Sequence, residues 1–387
     1  MVEELYLNNT WVEISESAYA HNLQVFRRLI GTGPELSVVV KANAYGHGWQ
    51  SIARLAIKHG ADSFCVHSLE EAVRLRRAGF TQNILIMGPV PLLQLEEAVI
   101  HNCRLVLFNM EVLEKLHEIT TRLNRLARVH LKLETGTYRQ GIEEKELPAF
   151  LERLKHTPQV LLEAAYTHFA NIEDTTSHEY ALYQLRRFNH MLDVIRESGF
   201  PIIKRHAACT AAALLFPETH LDMVRLGIGQ YGLWPSRETL VSYRSKYDGE
   251  VTEMLRPVLA WKTRITQLKE VPAERTIGYG RTYQTTRDSR IAVIPVGYSD
   301  GYDRGFSNQA YVLIRGKRAP VRGRVCMNLT MVDVTDIPDA ALDDEVVLIG
   351  KSGREQVTAD LLAAMIGTIN YEIVSRINPE IPRIIVS

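Results

Sequence analysis

The sequence predicts an α/β protein, a (β/α)8 TIM-type barrel followed by a C-terminal, mainly-β domain. Three observations predict it. From about residue 15 to 230, short apolar strands alternate with amphipathic helical stretches. Several of those strands end in cationic or imidazole residues, where a barrel keeps its chemistry. Beyond about residue 235 the pattern turns to short alternating strands punctuated by Gly, Pro and Asp. At 387 residues the chain exceeds the size at which one core stops growing, about 250–300 residues, so two domains are expected. They are read as 1–235 and 236–387, with the first ~12 residues allowed to pack with the β domain.

Candidate barrel strands, in order, are Leu36–Lys41, Ser63–His67, Asn83–Met87, Arg104–Phe108, Arg128–Glu134, Val160–His168, Ile202–His206 and Met223–Gly227. Helical patterns lie between them, as in Trp49–His59, Leu69–Arg76 and Tyr180–Ile195. A doubly wound open sheet is the competing arrangement for such alternation. Pro235–Met254 is polar and irregular and reads as a linker. After it come candidate strands Ala260–Gln267, Ile291–Pro295, Ala310–Ile314, Ala319–Met327 and Glu345–Ile349, and one helix, Thr358–Ile366, with Asp360 favourably placed in its first turn.

Composition narrows the function classes. Hydrophobic residues make up 46% and charged residues 23%, with 45 acids against 45 bases. Zero net charge gives no electrostatic case for nucleic acid or an anionic membrane. No apolar run approaches the ~18 residues of a spanning helix, and Met1-Val2-Glu3-Glu4-Leu5 is no signal peptide. Cys65, Cys103, Cys209 and Cys326 are scattered without C-x-x-C spacing, which argues against a zinc site or a disulfide framework. A reducing cytoplasm is the expected compartment, and no metal is expected.

The strand Val38-Val39-Val40-Lys41 ends in a lysine, followed by Ala42-Asn43-Ala44-Tyr45-Gly46-His47-Gly48. A lysine there either snorkels to solvent or serves chemistry, and the residue alone leaves both open. Other polar strand-end residues are His67, Lys132, Glu134, Arg139, His168, His206 and Arg225. Cations converging on one mouth suggest an anionic ligand. Met223-Val224-Arg225-Leu226-Gly227-Ile228-Gly229 runs from the eighth strand into a glycine loop, and barrels bind phosphate in the loops after strands seven and eight. Thr210, at a helix start after strand seven, would add a hydroxyl. A phosphate site with a strand-end lysine fits a Schiff-base lysine with pyridoxal phosphate, or a lysine aldolase acting on sugar phosphates.

Two glycine–tyrosine clusters mark the C-terminal domain, Gly278-Tyr279-Gly280 and Gly297-Tyr298-Ser299-Asp300-Gly301. Glycines beside a tyrosine permit a tight backbone path and an exposed phenol. On pattern alone these are loop tyrosines packing a ring, and Met327 is core filler.

Val39 through Gly48 resembles the cofactor-lysine signature of alanine racemases. Further likeness runs from Trp11 to about Val386, through Lys132–Gly141, Tyr166–Ala170, Val224–Ile228, Gly278–Gly280, Gly297-Tyr298, Cys326-Met327 and Ile369–Glu372. The resemblance implies a pyridoxal 5'-phosphate barrel, a C-terminal β domain and a homodimer with shared active sites. It implies that Lys41 binds the cofactor covalently and that Tyr279, from the other subunit, is the second catalytic base. Arg225 resembles the arginine at the pyridine nitrogen. Tyr45, Thr210, Gly227, Ile228 and Tyr371 match the phosphate set, and His168 the histidine linking Arg225 toward Tyr279. Arg139 matches the arginine steadying the phenolate and cofactor, while Met327 and Tyr298 match substrate-side positions. Lys132 matches a lysine that some members carry as a carbamate. Alanine is the implied substrate and D-alanine for peptidoglycan the implied product; a broader racemase, acting on serine or others, is the alternative within the family.

These residue types suit the chemistry. Racemisation takes a proton from one face of Cα and returns one to the other, which two opposed bases do without turning the intermediate. Clustered cations favour a phenolate and a neutral amine. An arginine at the pyridine nitrogen discourages its protonation and with it decarboxylation or transamination. A cofactor carrier without catalysis would not need Tyr279. The chain departs from the family pattern at Cys209-Thr210 (Asn-Ser is common), at Asn328 (Asp is common) and at Thr137-Tyr138 (Met-Gly is common).

Overall fold

The computed structural model describes residues 8–201, 204–247 and 254–387. The chain forms two compact units: Tyr19–Lys41 with Ile52–Arg256, and Met1–Ala18 with Ala42–Ser51 and Pro257–Ser387. Numbering strands along the chain, β1 (Thr10–Ser15) belongs to the second unit. The first unit holds β2 (Glu35–Val39), β3 (Ser63–Val66), β4 (Asn83–Ile86), β5 (Arg104–Leu107), β6 (Ala127–Lys132), β7 (Val160–Tyr166), β8 (Lys204–His206) and β9 (Met223–Leu226).

These eight run parallel in the order β8-β7-β6-β5-β4-β3-β2-β9. Asp222 and Arg225 donate backbone N–H groups to the carbonyls of Arg205 and Ala208, at 3.0 and 3.1 Å, so β8 and β9 nearly close the ring. The barrel expectation holds over an open sheet. Strands such as β3, β5 and β9 are buried at every position, as expected where helices cover the outside and side chains fill the inside. Two of the covering helices start at side-chain caps. Ser68 and Glu71 form a capping box on Leu69–Arg77, and Asn109 caps Met110–Leu123.

The second unit adds β10 (Leu259–Arg264), β11 (Gln267–Val271), β12 (Thr276–Ile277), β13 (Tyr283–Gln284), β14 (Ser289–Ile294), β15 (Tyr311–Ile314), β16 (Lys317–Pro320), β17 (Thr330–Asp333), β18 (Glu345–Ser352), β19 (Glu355–Val357) and β20 (Arg383–Val386). Its main sheet runs β16-β15-β18-β10-β1-β20, with β19 on β18. Beside it lie a three-stranded sheet, β11-β14-β17, and the β12-β13 ribbon. β1 pairs antiparallel with β10 and parallel with β20.

Several expectations are corrected. The polar stretch read as the linker Pro235–Met254 contains a helix, Arg237–Lys246, begun by Ser236, whose hydroxyl accepts the N–H of Thr239 at 2.9 Å. Its remainder at 248–253 lies outside the described residues, as do the first two residues of the strand read as Ile202–His206. The strand read over Ala319–Met327 is regular only as far as Pro320, because Gly323 takes φ +77° and turns the chain. Lys41 does not end a strand: β2 stops at Val39, and Lys41 opens a helical turn. Among the described residues no helix is long and apolar enough to cross a membrane.

Candidate active site

The barrel's C-terminal mouth collects Lys41, Lys132, Arg139, His168 and Arg225. Arg225 is buried, 4% exposed. Its Nη1 donates to His206 Nδ1 at 2.5 Å and to the His206 carbonyl at 3.2 Å; Nη2 donates to the carbonyls of Thr167 and Ala207 at 2.9 and 3.0 Å. Those four bonds use every terminal N–H. Among the described residues no acceptor meets its Nε–H. A buried guanidinium in a ring of neutral acceptors stays cationic, although burial lowers its pKa.

Burial and the clustered cations act on the neighbouring groups. Burial, then the charge of Arg139, lowers the Lys41 pKa. Burial, then Arg139 and Arg225, brings Lys132 down to about 8. His168 falls well below the usual imidazole range through burial and the cations Arg225, Arg139, Lys132 and Lys41, and so stays neutral. The Tyr166 ring stacks on His206 at 4.6 Å and lies under the Arg225 guanidinium at 5.0 Å.

The loop after β6 is tightly built. Glu134 accepts the N–H groups of Gly136 and Thr137, both at 2.6 Å, and the Thr137 hydroxyl donates to the His168 carbonyl at 2.6 Å. That bond gives the Thr137 departure a purpose. Tyr138 and Arg139 are exposed beyond it, Tyr138 at φ +50°. After β8, Thr210 opens the helix Thr210–Leu215 and accepts the N–H groups of Gly227 and Gly229 at 3.1 and 3.3 Å, leaving its own proton to donate. The threonine keeps a hydroxyl at the position where the family commonly has a serine.

In the second unit, Ala42, Asn43, Ala44 and Tyr45 make a left-handed turn with φ between 52° and 54°. Such a conformation costs non-glycine residues about 1–2 kcal/mol each, so the surroundings must impose it. Gly46 makes the closest approach: a Cβ there would stand 1.8 Å from the Val374 carbonyl oxygen. Arg383 donates to the Gly46 carbonyl from Nε and Nη2, at 3.1 and 2.9 Å, and the Asn43 side chain accepts the Trp49 N–H at 3.0 Å. Tyr45 and Tyr371 sit with ring centroids 6.0 Å apart.

Tyr279 stands on a short turn between Gly278 and Gly280, both at φ +72°, and is 74% exposed. Gly297-Tyr298-Ser299 is laced to Cys326-Met327-Asn328: Tyr298 and Ser299 donate N–H groups to the carbonyls of Cys326 and Met327, both at 3.0 Å. The Asn328 amide donates to the Ser299 hydroxyl at 2.7 Å, so this departure also has a local partner. Tyr298 and Met327 are both exposed. Met327 is therefore not the core filler its pattern suggested.

His130, buried at the barrel centre, and the half-buried Glu163 beyond it had no expected role. His130 Nδ1 lies 3.0 Å from His206 Nε2, and His130 Nε2 lies 3.3 Å from Glu163. The available signal was polar alternation in a buried strand, Arg128-His130-Lys132, which aims three polar side chains to one face.

Comparison with known proteins agrees over nearly the whole chain. The family descriptions "Alanine racemase, N-terminal domain" and "Alanine racemase, C-terminal domain" match residues 14–235 and 258–385. The alanine racemase of Leptospira interrogans is 39% identical over 98% of this chain and 96% of its own length. That of Symbiobacterium thermophilum is 42% identical over 97% and 96%. The Bacillus anthracis alanine racemase crystal structure with bound L-Ala-P superposes with a TM-score of 0.90 at 34% identity, over 98% of this chain and 95% of that one. A histidine racemase from Leuconostoc mesenteroides gives 0.87 at 28% identity, over 98% of both chains. The chain belongs to the alanine racemase family and is an amino-acid racemase.

Proposed function

We propose that this chain interconverts L- and D-alanine with pyridoxal 5'-phosphate, as a cytoplasmic homodimer that supplies D-alanine for peptidoglycan. In this reading residues 1–235 form the cofactor domain and 236–387 the domain contributing the second base. The observation that carries it is Arg225, whose four terminal N–H groups are held by the protein while Nε–H is left for an acceptor such as a ring nitrogen.

The donor set fits the cofactor. The Lys41 amine has a lowered pKa, Thr210 has a hydroxyl proton to give, and the mouth is cationic, as a phosphate requires. Gly227, Ile228, Tyr45 and Tyr371 complete the phosphate set. When bound, pyridoxal phosphate supplies a conjugated ring that withdraws electrons from the substrate Cα–H bond.

Lys41 Nζ takes or returns the proton on one face, and Tyr279 Oη of a second copy does so on the other. The exposure of Tyr279 supports a place for that phenol against another chain. The Arg139 charge favours the neutral amine of Lys41 and the phenolate, and Lys132, as a carbamate, would anchor Arg139. His168, neutral and beside Arg225, links that guanidinium toward the phenol. Met327 and Tyr298 orient and enclose the substrate. The names of the relatives support alanine, and the likeness to a histidine racemase favours testing larger amino acids. One methylene in such a pocket is worth only about 1–3 kcal/mol.

The test combines absorbance of the purified protein with racemisation of L-alanine, L-serine and L-histidine, then Lys41→Ala and Tyr279→Phe assayed in each direction. Each variant should damage proton exchange on its own face. Equal loss in both directions at every step would sink the two-base assignment.

A further inference from the structure

A line of hydrogen bonds leaves the candidate site through the middle of the barrel. It starts at Arg225 on β9, passes His206 on β8 and His130 on β6, and ends at Glu163 on β7. The separations are 2.5 Å from Nη1 to His206 Nδ1, 3.0 Å from His206 Nε2 to His130 Nδ1, and 3.3 Å from His130 Nε2 to Glu163 Oε2. His206 and His130 are 0% and 4% exposed. Beyond them Glu163 accepts from Arg104 Nε and Nη2 at 3.0 and 3.3 Å, and Arg128 approaches to 4.0 Å.

The proton positions on this line follow from its two ends. A guanidinium has no lone pair to offer, so the His206 nitrogen facing it must be bare. A proton on Nδ1 would set two donors against each other at 2.5 Å. The proton of His206 is then on Nε2 and can only donate, so His130 Nδ1 must also be bare. The proton of His130 is on Nε2 and meets a carboxylate. Burial raises the Glu163 carboxyl, but the bonds from His130 and Arg104 outweigh it and bring it to about 2, so it is ionised and accepts. Burial depresses both imidazoles, in His206 with help from Arg225, so both are neutral. Every bond points the same way, from Arg225 to Glu163.

We propose that His130 and Glu163 are positioning residues for Arg225: Glu163 fixes the tautomer of His130, which fixes that of His206 and keeps a bare nitrogen against the guanidinium. This rests on reading Arg225 as the cation that meets the cofactor ring. Without Glu163, His130 gains a choice of tautomer. The alternative tautomer would present N–H to the N–H of His206 and relax the bond that aims Arg225.

Neutron diffraction, or 15N solid-state NMR of histidine-labelled, pyridoxal-phosphate-loaded protein, reads the tautomers in the unmodified enzyme. The expected result is a proton on Nε2 alone in both His130 and His206. A proton on Nδ1 of either overturns the proposal, whatever any variant does. Glu163→Leu should then mix the His130 tautomers, shift the cofactor absorbance band and lower kcat about tenfold, with KM within about twofold. Glu163→Gln keeps an acceptor oxygen and should stay within about threefold of the parent with its tautomers intact. A folded, loaded Glu163→Leu protein with parental tautomers and kcat overturns the proposal. If that variant does not fold, loss of the tautomers in Glu163→Gln with kcat unchanged overturns it equally. Parental tautomers together with an Arg225→Lys absorbance band like the parent's would instead overturn the reading of Arg225 itself.

Discussion

Thr210 Oγ1 accepts the backbone N–H of Gly227 at 3.1 Å and that of Gly229 at 3.3 Å, so one hydroxyl ties the helix after β8 to the loop after β9. The loop has little room to find another arrangement, since a Cβ on Gly229 would stand 2.6 Å from the Thr210 methyl and 2.5 Å from the Phe26 ring. Thr210→Val keeps the volume and removes the acceptor. Each buried N–H left without one costs about 1–3 kcal/mol. Thr210→Val is therefore expected to lower the melting temperature and to weaken pyridoxal phosphate binding about tenfold or more. Thr210→Ser should stay within about twofold. Titration of the cofactor-free variants by absorbance checks both, and equal affinities for all three proteins would refute the hydroxyl's role.

The left-handed turn from Ala42 to Tyr45 follows directly on Lys41 and runs into Gly46, whose carbonyl accepts from Arg383 and where a Cβ would meet the Val374 carbonyl. Ala42 is exposed at φ +52°. Glycine at that position removes the left-handed penalty, about 1 kcal/mol, but frees the backbone that aims the lysine. Ala42→Gly is expected to leave the melting temperature equal or slightly raised while kcat falls several-fold. Calorimetry and racemisation assays on the same preparation separate the two effects. A loss of stability without loss of rate would contradict this account.

That turn also shows where sequence reading stops. The β/α alternation, the cationic strand ends and the signature around Lys41 are local patterns, and they carried the barrel and the family. Four consecutive left-handed residues, none of them glycine, break local preference; bonds such as Gly46 N–H to the Ala42 carbonyl at 3.1 Å hold them, together with Arg383, distant in sequence, on the Gly46 carbonyl. Likewise Arg225 was visible as a strand-end cation, but its cradle of carbonyls from Thr167, His206 and Ala207 exists only once β7, β8 and β9 are adjacent. The helix Arg237–Lys246 escaped because its residues are polar with little amphipathic contrast, and Ser236 was its one start signal.

Arg139 is exposed, yet its charge follows burial as the next cause lowering the Lys41 pKa. A nearby cation disfavours the ammonium, so removing it must raise that pKa. Arg139→Gln should move the acid limb of kcat, which reports the amine freed once substrate is bound, to higher pH, measured in the direction that Lys41→Ala abolishes. The rate near pH 7 then falls more than the rate near pH 9. Because the guanidinium faces solvent, salt should screen it, and raising ionic strength should shift the parent's limb in the same direction. An acid limb that stays put in the variant, or moves lower, would contradict the electrostatic role.

Arg225→Glu tests the cation at the barrel centre. The carbonyls of Thr167, His206 and Ala207 and the bare His206 nitrogen all point at donors. A carboxylate offers none, so it would leave four acceptors unpaired and add a buried charge, a combination that costs several kcal/mol. The glutamate is expected to take up a proton or to draw one onto His206, and the protein should lose thermal stability. Where it still loads the cofactor, racemisation of alanine should fall by at least a hundredfold. A carboxyl at the ring nitrogen favours its protonation, so transamination should become detectable as a slow loss of activity that added pyridoxal phosphate restores. Arg225→Lys keeps the charge but offers three donors to the four acceptors, and should lose rate without gaining the side reaction. Racemisation at the parental rate in Arg225→Glu, with no such inactivation, would show that the guanidinium does not govern the reaction.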